Sequence, residues 1–436
     1  MSTILGLSAF FLLTTDALNI YLSVILGLSA KNLIIYLLGV IIALRMVVGR
    51  QSVSDMGKMQ GAFLLLIGYA FVTWLVSALV VHYQHYDFIE SGIQLKSELI
   101  DYYIFFAVFL FGVQNSEDAV KVIKGLLLGA MFANLITVLD AFGIVSLGFR
   151  IRDDGRTAGA IGESNQYAAF IVLFLPGIIA AAVSSRGVQR LLWLGGAMIS
   201  ALTLVMTASR GGFVGLAMSC AVGAYLYRHL ISYSRIAGWV FAAMILLVLV
   251  VTFSPYGNLL AERMMGTGSI DASTASSGRS DIWTTALAAM VDHPLTFITG
   301  YGWNVYSSMP FQFATHNHYL HLWFNLGLLG LACGSYLLLS GIARARRASL
   351  QAAPPYRGHL IAFVLGTVAV GTAVFFVDLH QPWYYFWMYA GVVMRLVLLV
   401  QRQPAKVPVT RTAGATLRPP APRRDPYGWA QPQGRS

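Results

Sequence analysis

Charge is scarce in this chain. Asp, Glu, Lys and Arg make up only 11% of the 436 residues while 57% are hydrophobic, against roughly 25% and about 45–50% in soluble domains. Water therefore cannot be its main solvent, and the same figures exclude a disordered chain or a coiled coil. Cysteine is nearly absent: the 2 thiols, Cys220 and Cys333, both lie in apolar segments, too few for a disulfide framework or a cysteine metal cage. Acids are scarcer than bases, 18 against 29, leaving a net charge of +11. Whether that charge means nucleic acid or a topology signal depends on where the bases fall along the chain.

What the chain does have is long apolar runs. About 20 such residues cross ~30 Å of hydrocarbon as a helix, which alone satisfies its own backbone there. We read an all-α integral membrane protein with about twelve transmembrane helices: 5–27, 32–49, 61–81, 99–113, 122–147, 166–184, 190–208, 211–228, 236–254, 318–342, 358–378 and 382–400. Asp16 and Asn19 interrupt the first of these. Alternate loops and the tail hold 21 of the 29 bases, so that side is expected to be cytoplasmic, with both termini on it. The charge then reads as topology plus attraction to anionic lipid headgroups, with no nucleic acid implied. The expected divisions are residues 1–147, a helical N-terminal part; 148–400, a core with one large periplasmic loop at 255–317; and 401–436, a disordered basic cytoplasmic tail.

Eight bases break the rule by falling on the outer side: Lys31, Lys96, Arg150, Arg152, Arg156, Arg210, Arg263 and Arg279. An outward guanidinium near the membrane matches phosphate or carboxylate with two parallel donors. Pairing with Asp153, Asp154 or Glu262 is the alternative for Arg150, Arg152 and Arg263. Arg210 stands in Ser209-Arg210-Gly211-Gly212 between two apolar runs, where the glycines allow a tight turn with exposed backbone donors. Snorkelling is the competing reading of this arginine. Arg279 precedes Ile282, Trp283, Ala286, Leu287 and Met290, apolar at helical spacing, with Ser280 or Asp281 as cap and Pro294 as stop. That predicts a short amphipathic helix in the outer loop, with Arg279 at the end that favours an anion.

The loop rejoins the membrane at His316-Asn317-His318-Tyr319-Leu320-His321. His318 and His321 share a face if helical, yet no further ligand accompanies them, so a zinc site is not expected. A single histidine acting as general base fits better, because its ordinary pKa lies near working pH. Gly300-Tyr301-Gly302-Trp303 reads as a turn whose aromatic rings stack on sugars or anchor at the interface. His82, His85, His380 and Trp383 read as interface residues without a role.

Across about residues 150–395 the sequence resembles the O-antigen ligase and polymerase superfamily of bacterial inner membranes. The matching segments run in order: Arg156-Thr-Ala-Gly159 with Asn165 and Ala168; Ser209-Arg210-Gly211-Gly212; Gly278-Arg279-Ser280-Asp281-Ile282-Trp283 with His293-Pro294 and Gly300-Tyr301-Gly302; and His316-Asn317, nine residues, Gly327, two residues, Gly330. The resemblance implies a glycosyltransferase without cofactor or metal, acting on the periplasmic side. Its donor would be an undecaprenyl-diphosphate-linked glycan, its acceptor a sugar hydroxyl on a glycan or lipid A-core, with membrane lipid around both. It implies His316 as catalytic base; Arg210, Arg279 and Arg156 on the diphosphate; and Asn317, Tyr319 and Asn165 in support. The His-Asn spacing favours a ligase; a polymerase of O-antigen or exopolysaccharide repeats, with the same donor chemistry, is the alternative. A polytopic transporter or flippase is a third reading, with Asp140, and also Asp16 and Asp101, as intramembrane charges.

Overall fold

The computed structural model describes residues 1–18, 20, 23–25, 28–48, 56–147, 155–230, 252, 278–311 and 314–402. The expected ninth span, Arg150, Arg152 and Arg263, residues 255–277 of the 255–317 loop and the tail from 403 lie outside the described residues. The described chain is an all-α multi-pass membrane protein. Seven of its helices are long and apolar enough to cross a membrane, a count that stands beside the expected twelve without reproducing it.

The first half runs α1 (Ser2–Ala17), α2 (Ala30–Val48), α3 (Gly57–Val76, prolonged by a wider turn to Val81), α4 (Phe88–Leu95), α5 (Asp101–Gly112) and α6 (Ser116–Ala141). The second half has α7 (Ser164–Ser184), α8 (Gly187–Thr207), α9 (Arg210–Leu226), α10 (Arg279–Asp292), α11 (His318–Gln351), α12 (Pro354–Ala373) and α13 (Gln381–Arg402). Helices α7, α12 and α13 form the centre, apolar nearly all round and buried accordingly. Helices α1 and α6 pack along each other, α5 lies on α13, α9 on α12, and α11 between α12 and α3.

Three departures from the expected spans have physical causes. The first span, expected over 5–27, is a helix only to Ala17. Thr14 and Thr15 turn their hydroxyls back onto the carbonyls of Phe11 and Leu12, Asp16 pairs with Lys31, and a small antiparallel pair, Ser23–Ile25 with Leu28–Ser29, follows. Asp140, read as an intramembrane charge, stands at the end of α6 and accepts from the Leu147 amide at 2.7 Å. Asp101 binds Lys96 and Asn32, each at 2.9 Å, and Tyr36. Two of the eight exceptional bases are thus neutralised by the acids that a transporter would need.

The third departure is in α11. Gly327 adopts φ 61°, ψ −160° inside it, a conformation open essentially to glycine alone. A straight helix would separate residues 322 and 334 by about 18 Å. Instead a Cβ on Gly334 would lie 2.8 Å from Leu322 Cδ1, and one on Gly330 would lie 3.2 Å from the Leu322 carbonyl oxygen. Residues 318–326 therefore fold back along the following helix, and the expected single span 318–342 is a hairpin of two helical pieces. Periodicity does not register such a reversal, because apolar residues continue through it. The carbonyls of Phe324 and Asn325, released by the reversal, accept the amides of Tyr301 and Gly302, both at 2.8 Å. A Cβ on Gly327 would meet the Gly300 nitrogen at 2.5 Å, so the Gly-Tyr-Gly segment and the hairpin are one close-packed backbone unit.

Candidate functional site

That unit carries a small separate core. On α10, Ala286 and Met290 are buried and pack with Tyr301, Val305, Tyr306, Leu320 and Phe324. The amphipathic helix expected after Arg279 is present over Arg279–Asp292, but Gly278 at φ 76° leads into it and no side chain caps it. Ser280 and Asp281, expected as caps, sit in its first turn. Tyr301 stacks on Phe324 with centroids 4.5 Å apart and Trp303 donates from Nε1 to the Ser91 carbonyl at 3.0 Å. Both rings are buried, so the expected aromatic platform for sugars is interior packing.

At the start of α11, Asn317 caps the helix by accepting the amides of Tyr319 and Leu320, both at 3.1 Å. The preceding His316 has φ 48°, the left-handed region that a side chain with a Cβ rarely enters. Asp378 holds it there. Its Oδ2 accepts the His316 amide at 2.8 Å and the Thr315 hydroxyl at 2.6 Å. Asp378 is 7% exposed, and its other oxygen, Oδ1, is buried with no hydrogen bond. The His318 amide donates to the Val374 carbonyl at 2.9 Å, and the Tyr319 hydroxyl to that of Gly371 at 2.8 Å. Tyr319 thus serves the hairpin by tying it to α12.

The two arginine motifs attach to the same segments. Trp283, one turn beyond Arg279, donates from Nε1 to the Thr315 carbonyl at 2.9 Å, next to His316. On the other side, a Cβ on Gly211 would touch Phe376 Cβ at 3.0 Å and one on Gly212 would lie 2.7 Å from Ala168 Cβ. The first turn of α9, with Arg210, is wedged between α7 and the strand of chain that ends in Asp378. The glycines are there for close packing. The tight turn that they were expected to supply is made by Ala208, at φ 44°.

Arg156 is 4% exposed. Its Nε donates to the Thr207 carbonyl at 2.8 Å and Nη2 to Asn165 Oδ1 at 2.9 Å. Asn165 Oδ1 also accepts the Ser209 hydroxyl at 2.9 Å, and its amide donates to Glu163, which caps α7. Arg156, expected on the diphosphate, and Asn165, expected in support, here brace the turn before Arg210.

Two acids escaped sequence reasoning. Asp378 lies just beyond α12, and the only local sign was an acid closing an apolar run. Glu98 accepts from His380 Nδ1 at 2.9 Å and, with His318 and His321, lines a cavity floored by Leu337, Leu338 and Trp387. His380, left without a role by the sequence, is thereby engaged. Burial pulls its pKa down, but the hydrogen bond and charge of Glu98 outweigh this and raise it above the usual histidine value. No group of three or more metal-binding side chains occurs among the described residues.

The described residues form a polytopic helical membrane protein in which the segments that bear Arg210 and Arg279 touch the chain on either side of the constrained histidine's partners. Residues 195–335 match the family model described as O-antigen ligase, a segment that contains Arg210, Arg279, His316 and both hairpin glycines. The match supports the O-antigen ligase and polymerase superfamily read from the motifs, and with it an enzyme of glycosyl transfer. Comparison with curated proteins finds no match.

Proposed function

We propose that the protein transfers a glycan from an undecaprenyl-diphosphate carrier to a sugar hydroxyl on the periplasmic face of the inner membrane, as an O-antigen ligase. The observation that carries this reading is His316. A residue other than glycine in the left-handed region, fixed by a buried carboxylate, is strain of the kind found where geometry serves chemistry, and contacts made by Gly211 and Trp283 support a place for Arg210 and Arg279 near it.

In this reading His316 removes the proton of the acceptor hydroxyl as its oxygen attacks the anomeric carbon. The bond from that carbon to the diphosphate breaks with both electrons going to the leaving oxygen. Attack opposite the leaving group inverts the anomeric centre. Arg210 and Arg279 hold the diphosphate and stabilise the charge that grows on it, the term that usually dominates such catalysis. Diphosphate leaves as an anion, so no general acid is needed. Arg156 acts through Asn165 and Ser209 as a positioning residue for α9.

A polymerase would use the same donor with a second lipid-linked repeat as acceptor. The nine-residue spacing from Asn317 to Gly327 favours the ligase. A deletion strain separates the two: intact lipid-linked polymer that is never attached marks a ligase, whereas single attached repeats without long chains mark a polymerase. For the chemistry itself, purified His316→Ala should fold and bind donor but lose transfer; near-normal transfer would remove His316 as the base.

A further inference from the structure

The segment after α10 has an apolar edge that its own packing leaves bare. At the end of α10 and around the single helical turn Thr296–Thr299, Val291, Leu295 and Ile298 are 62–71% exposed, and Leu328, just past the hairpin reversal, is 55% exposed. Leu295 and Ile298 are three residues apart and share a face. The Ile298 carbonyl is the atom nearest to where a Cβ on Gly327 would stand, so this turn adjoins Leu328. It is also firmly held. Trp323 donates from Nε1 to the Phe297 carbonyl at 2.9 Å, and the Tyr69 hydroxyl donates to that of Thr299 at 2.6 Å.

These contacts fix its depth. Tyr69 lies near the middle of α3, whose apolar run 61–81 is long enough to cross a membrane. At about 1.5 Å per residue it stands about 12 Å from one end of that run and about 18 Å from the other. Helix α11 agrees. Its apolar stretch opens at Leu328 and closes at Arg344, with Arg346 and Arg347 just beyond, and the sixteen steps between cover about 24 Å, less than the ~30 Å of hydrocarbon. Guanidinium groups are costly inside that layer, so with the basic end at one edge Leu328 lies within the other. Tilt would sink it further, and snorkelling of Arg344 would bring it only to the edge. Asp292 and His293, exposed beside Val291, set the opposite limit, and the seat is shallow.

We propose that Val291, Leu295, Ile298 and Leu328 form a knuckle that dips into the bilayer hydrocarbon on the α10 side, making this part of the 255–317 loop a re-entrant interfacial element. Its occupant is lipid, because the knuckle continues bare apolar flanks that the bilayer covers: Val72 and Val76, on the face of α3 that bears Tyr69, and Leu339 on α11. Insertion by about 5–10 Å is what an amphipathic interfacial segment reaches. The knuckle ties one end of α10 to the membrane, and Arg279 stands at the other end. None of this rests on the transfer reading above.

Fluorescence quenching on the full-length protein in phosphatidylcholine nanodiscs tests this. Leu295→Cys and Ile298→Cys, each made with Cys220→Ala and Cys333→Ala, carry a nitrobenzoxadiazole label and are read with doxyl-labelled phosphatidylcholine and with aqueous iodide. Both side chains are exposed, so the replacements leave the core intact, and either site serves if the other variant fails to fold. The doxyl lipid should quench the label about twofold or more, and more strongly than iodide does. Stronger quenching by iodide would mean a water-facing loop and would overturn the proposal. Quenching by neither would overturn it too, by showing that protein covers the patch, whether residues 231–277 or a second copy of the chain. No glycan transfer enters these readings, so the transfer reading and the knuckle can fail separately.

Discussion

Removing the Asp378 carboxylate should disable the enzyme without unfolding it. Its Oδ2 receives two hydrogen bonds, from the His316 amide and the Thr315 hydroxyl. Bonds to a charged acceptor contribute about 1.5–3 kcal/mol each, hence about 3–6 kcal/mol together. The left-handed backbone at His316 costs about 1–2 kcal/mol, so the carboxylate outweighs the strain with a margin. In Asp378→Ala the restraint is gone and His316 relaxes into ordinary backbone, moving the imidazole. Misplacement of a reacting group by about 1 Å costs on the order of 10²-fold. Asp378→Asn keeps one oxygen able to accept both bonds, at about 0.5–1.5 kcal/mol each, comparable to or above the strain. The assay is transfer of glycan from lipid-linked donor to acceptor by purified protein in nanodiscs, with kcat and KM resolved. Asp378→Ala should lower kcat about 10²-fold at nearly unchanged donor KM, and Asp378→Asn should stay within about tenfold of wild type. An Asp378→Ala enzyme with wild-type kcat would refute the claim that this carboxylate positions the base.

Other expectations follow from the same geometry. Arg210→Ala and Arg279→Ala should each slow transfer by about 10²-fold or more, read in the same assay. Gly327→Ala forces a Cβ into a left-handed hairpin against the Gly300 nitrogen, and should lower the thermal midpoint as well as activity; an unchanged midpoint would mean that the reversal is not required. Transfer should survive a chelator, since the proposed chemistry needs no metal, and loss restored by a divalent ion would contradict that. His380 has its folded pKa raised by Glu98. The stabilisation from this pair is therefore complete below the unfolded value near 6.5 and is lost as pH rises through the higher folded value. With the His380 side chain 52% exposed, the effect should stay under about 1 kcal/mol. It should appear as a small extra fall in thermal midpoint between pH 6 and 9 that His380→Gln lacks.

Most helices were readable because a 20-residue apolar run in lipid has one good solution. Arg210, Arg279 and His316 stood out for a related reason: charge and imidazole are costly beside such runs and invite a functional explanation. What stayed hidden depended on partners distant in sequence. Asp378 meets His316 62 residues away, and Glu98 meets His380 282 residues away; neither spacing leaves a local trace. Backbone conformation was hidden too. Glycine pairs suggested turns at Gly211 and Gly212, yet the left-handed residue there is Ala208, while the glycine that reverses the chain, Gly327, was noticed only as part of a motif. Arg156 was read as a ligand-binding base, and its hydrogen bonds to the Thr207 carbonyl and Asn165 Oδ1 were likewise hidden from the sequence.

The hairpin at Gly327 has one more consequence. The segment from Asn317 to Gly327 works as a ruler, clamped at one end by a cap and at the other by a backbone that no other residue can copy. Adding or deleting a single residue within it would swing the imidazole about 100° around the helix axis and shift it by about 1.5 Å. If the transfer proposed above holds, redesign for new acceptors should repaint the surfaces around this piece and leave its length alone.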